Sequence, residues 1–126
     1  MFVFFNPNPV GARTGDCVIR AICAAEGKSW EEVYSALALE GYMLKDMPSS
    51  NAVWGNYLSR NGYKRLIIPD NCPTCYTVGD FAAQYNSGTY VVGTGTHAVA
   101  VVDGCVMDSW DSQREIPIYC YRKGDE

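Results

Sequence analysis

The sequence contains a single histidine, at position 97, so any chemistry that needs an imidazole has one place to occur. It also lacks an excess of positive charge: 10 Lys and Arg stand against 14 Asp and Glu, for a net charge of −4. The basic residues are scattered, which removes the electrostatic footprint that a phosphate backbone requires and excludes nucleic acid as an expected partner. No window approaches the roughly 18 consecutive apolar residues of a membrane-spanning helix, so no membrane contact is expected. The opening MFVFFNPNPV is apolar but has no preceding basic region and meets a proline early, which is not the pattern of a secretory leader. A cytoplasmic protein is the expectation.

What is present is ordinary globular material, 48% hydrophobic and 19% charged, in a length that supports one core; a single domain over residues 1–126 is expected. Six cysteines, at 17, 23, 72, 75, 105 and 120, would suit a disulfide framework only in an oxidising compartment, so reduced thiols are expected. Cys23, Cys105 and Cys120 read as small hydrophobes.

The first half carries helical spacing and the second half strands. Val18, Ile19, Ile22 and Ala25 recur at three- and four-residue intervals between Asp16 and the stop signal Gly27, which predicts a helix opening at Asp16 or Cys17. Ser29 and Glu32 form a Ser-x-x-Glu capping box for a second helix ending at Glu40, before Gly41. A third runs from about Asn51 to Arg60. Residues 64–68 read as a strand, and Thr77 and Asp80 repeat the capping pattern before a short helix over Phe81–Tyr85. Tyr90–Gly93, Ala98–Val102, Cys105–Trp110 and Ile116–Arg122 are Val-, Ile- and Tyr-rich runs divided by turn residues. Helices followed by antiparallel strands predict an α+β fold.

A thiol becomes a strong nucleophile when ionised, and a helix N-terminus favours its anion. Cys17 is the cysteine placed to benefit. His97 precedes AVAVV and the hairpin signal Asp103-Gly104. With those two as the loop, Val102 pairs with Cys105, Val99 with Asp108 and His97 with Trp110. Paired residues share a face, so Asp108 lies diagonally from His97, within reach of its ring. A carboxylate there fixes the tautomer and stabilises the imidazolium. A slip of one residue would turn Asp108 away. Trp110 is placed to roof the His–Asp hydrogen bond, or to pack in the core. Asp16 reads as a helix cap.

The segment HAVAVVDGCVMDSW (97–110) resembles the papain-like superfamily of cysteine peptidases, whose histidine lies in His-Ala-Val and is followed by a hairpin and Asn-Ser-Trp; Asp108-Ser109-Trp110 stands in that last place. The segment GDCVIRAI (15–22) is similar to the cysteine motif of ovarian-tumour-type deubiquitinases in its Cys-x-x-Arg-Ala part. The resemblance implies a papain-like fold, N-terminal helices packed on a C-terminal antiparallel sheet, with Cys17, His97 and Asp108 as a triad. It further implies hydrolysis of a peptide, isopeptide or other amide through an acyl-enzyme, on a peptide or protein substrate, with no cofactor and no metal. Papain-like enzymes carry a glutamine six residues before the cysteine as an oxyanion donor. Gly11 stands there instead, and the amides of Asn6 or Asn8 are the candidates to replace it, their other reading being turn residues between prolines.

Cys72-Pro73-Thr74-Cys75 has the spacing of half a zinc site or of a redox pair, but neither the second ligand pair nor a following long helix is present in the sequence. The aromatics Tyr42, Trp54 and Tyr57 are candidates for a substrate cleft or for the core. The alternative to an enzyme is a catalytically inactive papain-like module, of bacterial or phage origin, that binds a protein partner.

Overall fold

The computed structural model describes residues 1–69 and 76–124; Cys72 and Cys75 lie outside the described residues. The described residues form four helices and six strands. Strand β1 (Phe2–Phe4) precedes three helices, α1 (Cys17–Glu26), α2 (Trp30–Leu44) and α3 (Asn51–Arg60). Strand β2 (Tyr63–Ile67), helix α4 (Val78–Gln84) and strands β3 (Thr89–Gly93), β4 (Ala98–Val102), β5 (Cys105–Asp108) and β6 (Tyr119–Lys123) follow. Among the described residues no helix is long and apolar enough to cross a membrane.

Local chemistry sets the helix ends. Gly27 adopts the left-handed conformation that closes α1, its N–H donating to Cys23 O. Both capping boxes form: the Ser29 and Thr77 side chains accept from the N–H groups of Glu32 and Asp80, whose carboxylates accept in return. Helix α2 runs through Gly41 to Leu44, beyond the expected stop. The reason is a close approach: a Cβ at position 41 would collide with the carbonyl oxygen of Asp46, so glycine serves here to admit the returning chain within the helix. Helices α2 and α3 are joined by buried Glu40, which accepts from the Asn56 amide and, at 2.6 Å, from Arg60 Nη2.

The sheet has the order β1-β5-β4-β3-β6-β2. It is mixed, which corrects the expected C-terminal antiparallel sheet: β1 pairs parallel with β5, the other pairings are antiparallel, and two strands come from before residue 70. The short run Phe2–Phe4 joins the sheet because β5 offers an open edge; Phe4 lies opposite Asp108 and Phe5 N–H donates to Asp108 O at 2.7 Å. The coarse α+β class stands.

Alternation along the strands divides the core between the two faces of this sheet. Val91, Ala98, Ala100, Tyr119 and Tyr121 pack with Ile22, Leu37 and Trp54 of α1, α2 and α3. Val92, Val99, Val101, Val106 and Cys120 pack with Val78 and Phe81 of α4. Tyr119 lies across Gly93 on the neighbouring strand, where any side chain would run into its ring.

The hairpin between β4 and β5 has the register derived from the sequence, Val102 opposite Cys105, Val101 opposite Val106 and Ala100 opposite Met107. Asp103 and Gly104 have φ of 49° and 80°, the left-handed pair a primed two-residue turn requires. Gly104 also leaves room for Asn86, which a Cβ would meet at 3.2 Å. Gly104→Ala is therefore expected to lower stability by about 1–2 kcal/mol from the left-handed backbone alone. In urea unfolding the midpoint falls at unchanged slope; an unchanged midpoint would show that the turn does not constrain the hairpin.

Candidate functional site

Cys17 is the first residue of α1, which packs on β4. This sets the thiol beside the start of β4, where the Ala98 N–H hydrogen-bonds it and the His97 ring lies against it. His97 is held from behind by the four-residue connection from β3. Thr94 N–H donates to His97 O at 2.8 Å, while the Thr94 hydroxyl oxygen accepts from His97 N–H at 3.0 Å and Thr96 N–H at 3.3 Å. Buried Thr94 thus fixes the backbone on both sides of the imidazole.

Asp108 ends β5, and its Oδ2 lies 2.7 Å from His97 Nε2. A carboxylate only accepts, so Nε2 carries the proton and Nδ1 is left for the thiol. Both side chains are removed from water, the imidazole 9% exposed and the carboxylate 1%. Four donors satisfy the carboxylate. Oδ2 also accepts from the Ser112 hydroxyl at 2.6 Å, and Oδ1 accepts from Ser109 N–H at 2.7 Å and from Arg20 Nε at 2.9 Å. Trp110 stacks obliquely on His97, ring centroids 4.8 Å apart, with its outer side in water. The structure therefore brings Cys17, His97, Asp108 and Trp110 together.

The electrostatics favour charge separation between thiol and ring. Burial pushes the Cys17 thiol up, but the hydrogen bonds from His97 and Ala98 N–H, with the positive charges of His97 and Arg20, bring it below its ordinary value of 9.0. Burial likewise opposes the His97 imidazolium, and the hydrogen bonds to Asp108 and Cys17, with their negative charges, outweigh it and raise the ring to about 9. For Asp108, burial is outweighed by the hydrogen bonds from His97 and Ser112, and its carboxyl is held below the ordinary 3.8. The thiol and the ring titrate as a pair, with thiolate and imidazolium coexisting between their midpoints. Cys23 and Cys120 behave oppositely, burial pushing each up to about 11.

Asp16 corrects the sequence reading. Its side chain makes no capping hydrogen bond at α1 and turns instead to Arg20 Nη1, at 2.7 Å from Oδ1, and to Trp30 Nε1, at 2.9 Å from Oδ2. The first N–H groups of α1 have no acceptor within the helix and remain free of this carboxylate. Arg20, Ser112, Thr94 and Asn51 are the residues that sequence reasoning missed. Arg20 stands in the Cys-x-x-Arg-Ala match and, three residues from Cys17 on a helix, shares its face, a signal that was legible. Ser112 and Thr94 lie in connections whose course no periodicity predicts.

A cavity of about 230 Å³ opens beside the thiol, lined by Cys17, His97, Asn51, Gly95, Trp54 and Tyr119, among others. Trp54 Nε1 donates to Asn51 Oδ1 at 3.2 Å, which assigns the Asn51 Nδ2 donors to the open side. Of the three aromatics considered for a cleft, Trp54 lines it, Tyr57 is core and Tyr42 is exposed on α2. On the Trp110 side a second cavity is bordered by Asn6, Gly15 and Arg20. Asn6 Oδ1 accepts from Asn8 N–H, and Asn8 Oδ1 accepts from Val10 and Ala12 N–H, so both hold the Asn-Pro turn; Asn6 borders the site and Asn8 lines neither cavity.

With one histidine, an imidazole titration by NMR reports this site without ambiguity. The ring is expected to titrate near pH 9. Asp108→Asn removes the anion while the ring stays buried and the thiol contact remains, so the midpoint is expected to fall below about 9. An unshifted midpoint would separate the carboxylate from the imidazole's charge state. Comparison with known proteins gives no family model, no curated protein and no solved structure that matches this chain.

Proposed function

We propose that the chain is a papain-like cysteine hydrolase acting on an amide-type bond of a peptide or protein. One observation carries the reading: the Cys17 thiol, at a helix N-terminus, abuts the sole histidine, whose far nitrogen is 2.7 Å from a buried carboxylate. The chain order Cys, His, Asp and the HAVAVVDGCVMDSW segment support it, as does the placement of a helix-borne thiol against a base at the entry to a strand.

In this reading the Cys17 thiolate attacks the carbonyl carbon, a sulfur–carbon bond forms and the oxygen becomes an oxyanion. The Cys17 N–H at the start of α1 donates to that oxyanion, and the Asn6 amide is the proposed second donor. The C–N bond then breaks as the His97 imidazolium gives its proton to the leaving amine, leaving a thioester on Cys17. Water enters, His97 takes its proton, and the thioester breaks to a carboxylic acid and the original thiolate. An amine taking the place of water gives a transferase outcome by the same steps. Asp108 holds the ring throughout, and Trp110 keeps water from the His–Asp hydrogen bond.

The test is alkylation with iodoacetamide at neutral pH, read cysteine by cysteine by peptide mapping. Cys17 is expected to react well ahead of Cys23 and Cys120, whose anions burial suppresses. His97→Ala is expected to abolish that preference. If Cys17 reacts no faster than the other accessible thiols, the enzyme reading fails and the fold is better read as a binding module.

The pH dependence follows from the signs of the shifts. Thiolate forms at Cys17 below the 9.0 of an ordinary thiol, so alkylation rises at correspondingly lower pH. His97 keeps its proton up to about pH 9, so amide cleavage, which needs that proton for the leaving amine, declines as pH passes through this value. A bell-shaped rate profile is expected for cleavage and a single rising limb for alkylation.

A further inference from the structure

Arg20 is a buried arginine, 6% exposed, with both ends of its guanidinium committed to carboxylates. Nε donates to Asp108 Oδ1 at 2.9 Å, and Nη1 donates to Asp16 Oδ1 at 2.7 Å. Asp16 is in turn held by the Trp30 indole of α2. These contacts form one line, from Trp30 through Asp16, Arg20 and Asp108 to His97, that ends at Cys17 on α1, the helix that also carries Arg20. Burying a full charge is costly unless it is paired and hydrogen-bonded, and both conditions are met here. An arginine in this place is not interchangeable with an apolar residue, because Asp108 would then keep a lone pair unsatisfied beside a reacting imidazole.

We propose that Arg20 is a positioning residue of this site, fixing the Asp108 carboxylate, and through it His97, relative to the thiol one helical turn away. The role rests on reading Cys17, His97 and Asp108 as a catalytic set. Its geometric basis is that the thiol and the guanidinium share one helix while the acid closes β5 and the base immediately precedes β4. The Nε–Oδ1 bond is a direct polar tie between these two halves of the site. Its planar fork donates in two directions at once, which a single ammonium does not reproduce. The charged groups facing the guanidinium are Asp16 of α1 and Asp108 of β5, with the Cys17–His97 couple beyond. One cation between two anions leaves the acid's second oxygen to the imidazole and sets a positive charge near the sulfur.

The experiment measures iodoacetamide alkylation of Cys17 against pH in wild type, Arg20→Gln and Arg20→Lys, with thermal unfolding alongside to count only folded protein. Arg20→Gln removes the cation and the tie to Asp108, and the midpoint of alkylation is expected to move up toward that of an ordinary thiol. Arg20→Lys keeps the charge and is expected to hold the midpoint near that of wild type, with a plateau rate lowered several-fold because the fork is lost. A midpoint in Arg20→Gln that matches wild type overturns the proposal, since a residue that only stabilises the fold changes the amount of folded protein and not its titration. If Arg20→Gln does not fold, Arg20→Lys decides alone: wild-type midpoint and wild-type plateau together overturn the positioning role. Loss of selective Cys17 reactivity in wild type itself would instead refute the catalytic reading beneath it.

Discussion

The buried carboxylate of Asp108 is the group on which the site is built. An unpaired anion at 1% exposure would be protonated or would force the chain open, yet this one meets four donors, from Arg20, Ser109, Ser112 and His97. The donors come from three stretches of chain. Arg20 comes from the helix that carries the thiol, His97 from the start of β4, and Ser109 and Ser112 from the connection after β5. The backbone of Asp108 is fixed from the other side by β1, through Phe5 N–H. Satisfying one charge therefore draws the helical layer, the central strands and the N-terminal strand to a common point.

From that point the chemistry follows by ordinary electrostatics. The anion favours the imidazolium, the imidazolium and the helix terminus favour the thiolate, and burial, which opposes both charges taken singly, strengthens their attraction for each other. Asp16 is a negative charge next to the thiol and would oppose this; its carboxylate is occupied by Arg20 and Trp30, which reconciles an acidic residue with a stabilised thiolate. The other described thiols show what the site adds. Cys23 sits two turns along the same helix without a base or a free terminus, and burial pushes it in the opposite direction.

The parts legible in the sequence were those fixed by local rules. The Asp103-Gly104 turn specified the β4–β5 register, and with it the proximity of Asp108 to His97, because a primed turn leaves one pairing. Capping boxes and Gly27 located helix ends within a few residues. The derivation placed His97 and Asp108 on a common sheet face with Val99, which packs toward α4. The observed pair lies at the strand ends, where His97 precedes β4 and Asp108 closes β5, and both reach α1. What stayed illegible depended on distant partners. Phe2–Phe4 is too short to announce a strand until β5 provides its edge. Gly41 reads as a stop until residue 46 folds back on it, and the purpose of Asp16 appears only once Arg20 and Trp30 are in place.

The central claim is that the imidazolium beside Cys17 makes its thiol more acidic than an ordinary one, and the ultraviolet absorbance of the thiolate measures this directly. The difference spectrum between wild type and Cys17→Ala, followed from acid to alkaline pH, is expected to show one thiolate forming below the 9.0 of an ordinary thiol. The same difference taken in a His97→Ala background is expected to lose that early thiolate. A thiolate that forms only with the free-thiol midpoint, or one that is unaffected by the loss of His97, would contradict the account.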